Sequence, residues 1–298
     1  MEWYILMFLA AVLSAIGSLV EKKTLFKEHA LEFSAVLSLF ILLISLPLLF
    51  IANFMMPLQY WVLLLVMGAL DSIAFLYIAK AIRHMEISAS SPFLVFGPVL
   101  IALLAFFFLK EQLTIQQLVG ILLVIVGAYI LEIVQMQKKK ITFFEPFKVM
   151  IKSKYVKFIF FALFLYAITA VMARFMLSTE NPLHIDPFAL IFVEHVIIAV
   201  FFTVVLCTRF NGFAGIKHGL KMAGGTIFIM AVIVTGYRIL GIIAKTFPVA
   251  KVGLIAAINR TSVLFATFIG GELFHDHHLK QKMVATVIMV IGVLLIVL

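Results

Sequence analysis

The sequence predicts an all-α membrane protein, with ten transmembrane helices arranged as two inverted five-helix repeats. Three observations predict it. Of 298 residues, 65% are hydrophobic and 12% charged, with a mean hydropathy of +1.22. A soluble domain, whose surface must face water, carries roughly a quarter charged residues. The apolar residues fall into ten runs, each long enough to cross a hydrocarbon core of ~30 Å as a helix. Finally, polar landmarks recur between the two halves, several of them 165 residues apart and, earlier in the halves, at a shifted offset that pairs Lys22 with Arg174.

The first half holds apolar runs at 3–20, 33–51, 61–79, 87–109 and 115–134. The second holds 158–177, 187–207, 224–244, 252–274 and 283–298. The first run lacks the basic start and small-residue cleavage site of a signal peptide, so it reads as a helix. On it Ala10, Ser14 and Ser18 recur every four residues, which suits close packing against another helix. None of the runs alternates apolar and polar residues as a membrane β-strand does. Cys207 is the only cysteine, which excludes an intrachain disulfide and a cysteine-based metal site.

The formal charge of +9 is carried mainly by short loops, which argues against nucleic acid and for cationic loops on one membrane face. Loops after helices one, three, five, seven and nine hold 17 of the Lys and Arg residues; the opposite loops hold only Lys110, Arg174, Lys245 and Lys251. The expected orientation therefore puts the linker 135–157 in the cytoplasm and both termini outside. That linker, with Lys138, Lys139 and Lys140 ahead of Phe143, Phe144 and Phe147, is either a solvated tether or a segment lying on anionic lipid. It separates a first unit, 1–134, from a second, 158–298.

Around Glu111 the chain reads LKEQLTIQQLVGILLVIVG, and around Asp276 it reads FHDHHLKQKMVATVIMVIG. Glu111 with Asp276, Gln116 with Gln281, Gly127 with Gly292 and Lys80 with Lys245 all stand 165 residues apart. Five helices is an odd number, so the second unit enters from the opposite face and the repeat is inverted. The polar hairpin with Glu, Thr and Gln before a Gly-containing helix, preceded by SASSPFLVFGPVL, resembles the EamA-like members of the drug/metabolite transporter superfamily. The resemblance covers both units. It implies a ten-helix basket around a central cavity, and secondary transport without ATP. The second copy departs from the pattern at His275-Asp276-His277-His278. Small four-helix relatives place a coupling Glu inside the first helix, where this chain has Ser14, with Glu21 only at the end. That mechanism is not carried over.

Charged residues inside apolar runs are the candidate site. Asp71 lies near the centre of helix three, Glu194 and His195 near the middle of helix seven, and Asn259 and Arg260 inside helix nine. A charge at the bilayer centre costs at least ~2.5–3.5 kcal/mol, so each should face a cavity or a partner. For Asp71 and Arg260 a polar centre competes with ion bridges that fix helix packing. Glu194 has the sharper functional case, because it can exchange a proton. His195 points about 100° away from it and reads more simply as a packing residue. Arg238 either enters the cavity or snorkels to the interface. Tyr237 offers a hydroxyl or is an interfacial aromatic. Helix four, with Ser88, Ser90, Ser91, Pro92 and Pro98, is expected to be bent and cavity-lining. The histidines His275, His277 and His278 sit in a hairpin and read as hydrated, not as metal ligands.

The leading expectation is an exporter of a small metabolite or drug working by alternating access in the cell membrane, as a monomer or homodimer. Its partners would be the solute, membrane lipids and a coupling proton or other cation, with no cofactor or metal. The alternative is a flippase for a lipid-linked sugar, which needs a lateral opening; a non-transport scaffold would not need buried charges. The spans lack His-Glu-x-x-His and Gly-x-Ser-x-Gly patterns, which disfavours an intramembrane enzyme.

Overall fold

A computed structural model describes residues 2–25, 30–84, 94, 96–135, 154–179, 181, 184–209, 213–262, 264–265 and 279–297. They form ten α-helices and no strand. The first half contains α1 (Trp3–Leu25), α2 (Ala30–Ser45), α3 (Leu58–His84), α4 (Gly97–Leu109) and α5 (Ile115–Gln135). The second half contains α6 (Lys154–Leu177), α7 (Pro187–Arg209), α8 (Phe213–Ala244), α9 (Val252–Asn259) and α10 (Leu279–Val297). A 3-10 turn, Leu46–Phe50, extends α2, with Pro47 near its start. Six segments, in α1, α2 with its turn, α3, α6, α7 and α8, are long and apolar enough to cross a membrane. The apolar stretches of α4, α5 and α10 are shorter.

Two predicted spans are more broken than the hydropathy suggests. In the fourth, regular helix opens at Gly97 with Pro98 in its first turn, where the missing N–H costs no helical bond. Ser88 to Pro92 lie outside the described residues. The ninth is interrupted after Asn259 by a turn at 260–261, and helical residues follow at 262, 264 and 265. Arg260 N–H is shared between Ala256 O (3.2 Å) and Ala257 O (3.1 Å), and Thr261 Oγ1 donates to Ile258 O (2.7 Å). Thr261 thus takes, through both N–H and hydroxyl, the Ile258 carbonyl that residue 262 would use in a continuing helix.

The α4–α5 hairpin is fixed by its own chemistry. Lys110 takes the left-handed conformation (φ 56°) and its N–H bonds Ala105 O, the α4 cap that glycine usually provides. Thr114 and Gln117 form a reciprocal capping box at the start of α5, each backbone N–H bonding the other's side chain at 3.2 Å.

The largest helix interfaces join the two halves: α5 with α10, α1 with α8, α3 with α6, α2 with α8, α4 with α6, and α2 with α7. In the α5–α10 pair a Cβ on Gly292 would lie 2.7 Å from Gly120 O and 2.8 Å from Val124 N; one on Gly127 would lie 2.8 Å from Ala285 O. Contacts at 120/292 and 127/285 mean the two helices run antiparallel. Backbone touches backbone there, as in other small-residue membrane interfaces. Gly292→Ala is therefore expected to force the helices apart and destabilise by roughly 1–3 kcal/mol. Thermal unfolding in detergent checks this against Gly225→Ala, where no atom lies within 4 Å and no loss is expected.

Candidate functional site

The other eight helices, α1–α4 and α6–α9, surround a central cavity of about 480 Å³, and among the described residues none of α5 or α10 lines it. Helical spacing decides which side chains face it. On α3 the wall takes Met67, Asp71 and Phe75; on α7 it takes Glu194, Ile198 and Phe202. Both sets recur every four residues, one face of a helix.

Three charges meet in the cavity wall. Nη2 of Arg238 pairs with Glu194 Oε1 and lies 3.8 Å from Asp71 Oδ2. Thr169 on α6 donates from Oγ1 to Asp71 Oδ1 at 2.6 Å. The Glu194 side chain is only 4% accessible, while that of Arg238 is 24%, so the guanidinium is the member most open to the cavity. The cation binding Asp71 is thus Arg238, turned inward and not snorkelling. Four helices (α3, α6, α7 and α8) share this node. The guanidinium offsets the charge of one carboxylate and is shared by both, in a medium that screens poorly.

Of the other predicted residues, Tyr237, Asn259 and Arg260 also line the cavity. Arg260 lies against the start of α4, where a Cβ on Gly97 would stand 3.1 Å from its Nη2. Asn259 Oδ1 is buried with no hydrogen-bond partner among the described residues. His195 is not in the wall. Its Nδ1 lies 2.6 Å from Ser45 Oγ, and Ser45 Oγ donates to Ile41 O at 2.6 Å. The single hydroxyl proton is used on that carbonyl, so the imidazole N–H is the donor in the first bond. His195 therefore ties α7 to the end of α2 and sets the rotation that aims Glu194 at Arg238.

Sequence reasoning passed over Lys245, Glu21 and Tyr166, which line the cavity, and Thr169, which lines it and bonds Asp71. Lys245 was detectable: it follows Arg238 by seven residues, two turns along the same face. Thr169 carries no such signal, since a hydroxyl within an apolar run ordinarily bonds its own helix. His275 to His278 and most of the linker 135–157 lie outside the described residues.

An all-helical bundle with several membrane-length apolar helices and charges buried around an internal cavity defines an integral, multi-pass membrane protein. Residues 1–133 match the EamA-like transporter family, a likeness consistent with the drug/metabolite transporter superfamily. Among solved structures 27 chains match. One is a crystal structure of a protein 13% identical to this chain, with a TM-score of 0.71 over 99% of this chain and 98% of its own, which shows a shared fold. No curated protein matches the sequence.

Proposed function

We propose that the protein is a secondary transporter of a small polar or amphipathic metabolite or drug, exporting it across the cell membrane by alternating access. The observation that carries the reading is the Asp71–Glu194–Arg238 node in the wall of the central cavity. Buried ion pairs are poor stabilisers, because desolvation offsets their attraction. Ionisable groups at this depth mark substrate and ion pathways. Glu194 takes part in coupling or solute binding, with Asp71, Arg238, Tyr237, Asn259 and Arg260 completing the polar lining; His195 acts by positioning Glu194.

Alternating access rests on ten spans forming an inverted repeat. The helix pairings support it, because each of the six largest interfaces has a counterpart when every helix is exchanged for the one five places on or back. Thus α1–α8 becomes α6–α3, and α2–α8 becomes α7–α3. The offset of 165 residues turns the contact 120/292 into 285/127, which also occurs, between helices that run antiparallel.

The test begins with a thermal-shift screen of metabolites in detergent, since a ligand bound only by the folded state raises apparent stability. Compounds that stabilise the protein are then loaded into proteoliposomes. Protein-dependent solute flux without ATP is the expected result. Movement of a lipid-linked sugar between leaflets, with no solute flux, would support the flippase instead.

A further inference from the structure

One end of the bundle holds a second group of buried polar contacts, outside the cavity node. Arg174, in the last turn of α6, has a side chain only 5% accessible. Its Nε donates to Glu111 Oε1 at 3.1 Å. Its Nη1 donates to the carbonyls of Lys245 (2.5 Å) and Phe247 (2.8 Å), and its Nη2 to that of Pro248 (2.8 Å). The second oxygen of Glu111 accepts the N–H of Val252 at 2.9 Å. Val252 is the first residue of α9, whose own N-cap, Lys251, makes no side-chain cap bond. Glu111 thus caps from the other half of the chain, where a carboxylate suits the helix N-terminus. Lys251 Nζ in turn donates to Gln112 O and, at 3.0 Å, to Gln117 Oε1.

The contacts have a common direction. Glu111, Gln112 and Gln117 belong to the α4–α5 hairpin of the first half; Arg174, Lys251 and Val252 belong to the second. Arg174 also grips the α8–α9 loop, and that loop is bounded by Lys245 and Val252, which both line the cavity. The group therefore fastens half to half where the cavity wall ends. Helix α4 meets α9 just below, with a Cβ on Gly253 placed only 2.8 Å from that of Ala102.

We propose that Glu111, Arg174 and Lys251 form a latch that holds this mouth of the cavity shut, and that the latch releases as a unit when the cavity opens here. The proposal rests on the transport reading, because only a transporter needs the mouth to open. Its bonds are charge-assisted and directional, so they break over a short displacement of the hairpin, unlike the apolar contacts around them. Release leaves α9 without its cap and Arg174 without its carboxylate, which biases the resting protein toward closure at this end.

Labelling tests it without any solute. In a Cys207→Ser background, Met7→Cys reports the latched end: Met7 lines the cavity and packs in the cluster holding Ala250 and Leu254. Ser34→Cys reports the far end, since α2 starts beside the start of α8, where Glu32 lies 3.3 Å from His218. Rates of reaction with a membrane-impermeant maleimide are measured in proteoliposomes. Glu111→Gln and Lys251→Gln are each expected to raise the Met7→Cys rate about tenfold or more, the loss expected for a charged hydrogen bond. The Ser34→Cys rate should fall at the same time. Unchanged rates overturn the latch, and so does a parallel rise at both reporters, which is loosened packing. Should Glu111→Gln fail to fold, the more peripheral Lys251→Gln decides. An absence of solute flux from the parent protein with the labelling pattern intact would count against the transport reading alone.

Discussion

Arg238→Gln is expected to be the most damaging single substitution in the cavity, lowering stability by roughly 3–5 kcal/mol and stopping transport. The guanidinium is the cation shared by Glu194 and Asp71. Without it two carboxylates face each other inside the bundle, and Thr169 satisfies only one oxygen of one of them. A loss of this size is a large fraction of the total stability of a folded domain. Thermal unfolding in detergent and flux in proteoliposomes measure the two effects separately. The double variant Arg238→Gln with Glu194→Gln removes a charge of each sign, so it should recover much of the lost stability while transport stays absent. An Arg238→Gln protein that melts with the parent would show that the node carries no such charge balance.

Much of the node was legible because charge inside an apolar run is conspicuous: Asp71, Glu194 and Arg238 all stand out in the sequence. Their pairing was not. The sequence groups Asp71 with Arg260 and leaves Arg238 between cavity and interface, whereas the rotation of α8 in the bundle gives Asp71 to Arg238. The sequence neighbours Glu194 and His195 likewise do different work, since one residue of helix turns them to different helices. Hydropathy also hides interruptions. The run 252–274 reads as one span, yet α9 ends at Asn259, where Arg260 and Thr261 bond its last carbonyls. Lys245 was placed in a loop because the apolar run ends just before it. Its side chain nonetheless returns to the cavity along the face of Arg238. The most transferable signal was a pair of glycines, Gly127 and Gly292, which mark where the backbones of α5 and α10 meet.

Glu194→Gln is expected to abolish transport, or to strip it of its pH dependence, while leaving the protein folded. Glutamine keeps the shape of the side chain and still accepts a hydrogen bond from Arg238, but it cannot exchange a proton or hold a cation by charge. The fold survives because Asp71 remains to balance Arg238, 3.8 Å away and already oriented by Thr169. Asp71→Asn is the instructive contrast. Its carboxylate is anchored by the Thr169 hydroxyl and ties α3 to α6 and α8, so its loss should appear first as a lower unfolding temperature. Flux measured across a range of pH, alongside unfolding curves for both variants, separates the roles. A Glu194→Gln protein that transports at the parent rate with the parent pH response would remove Glu194 from the mechanism. The node would then be a packing device of α3, α6, α7 and α8, and the search for coupling would move to Glu21, the other carboxylate among the described lining residues.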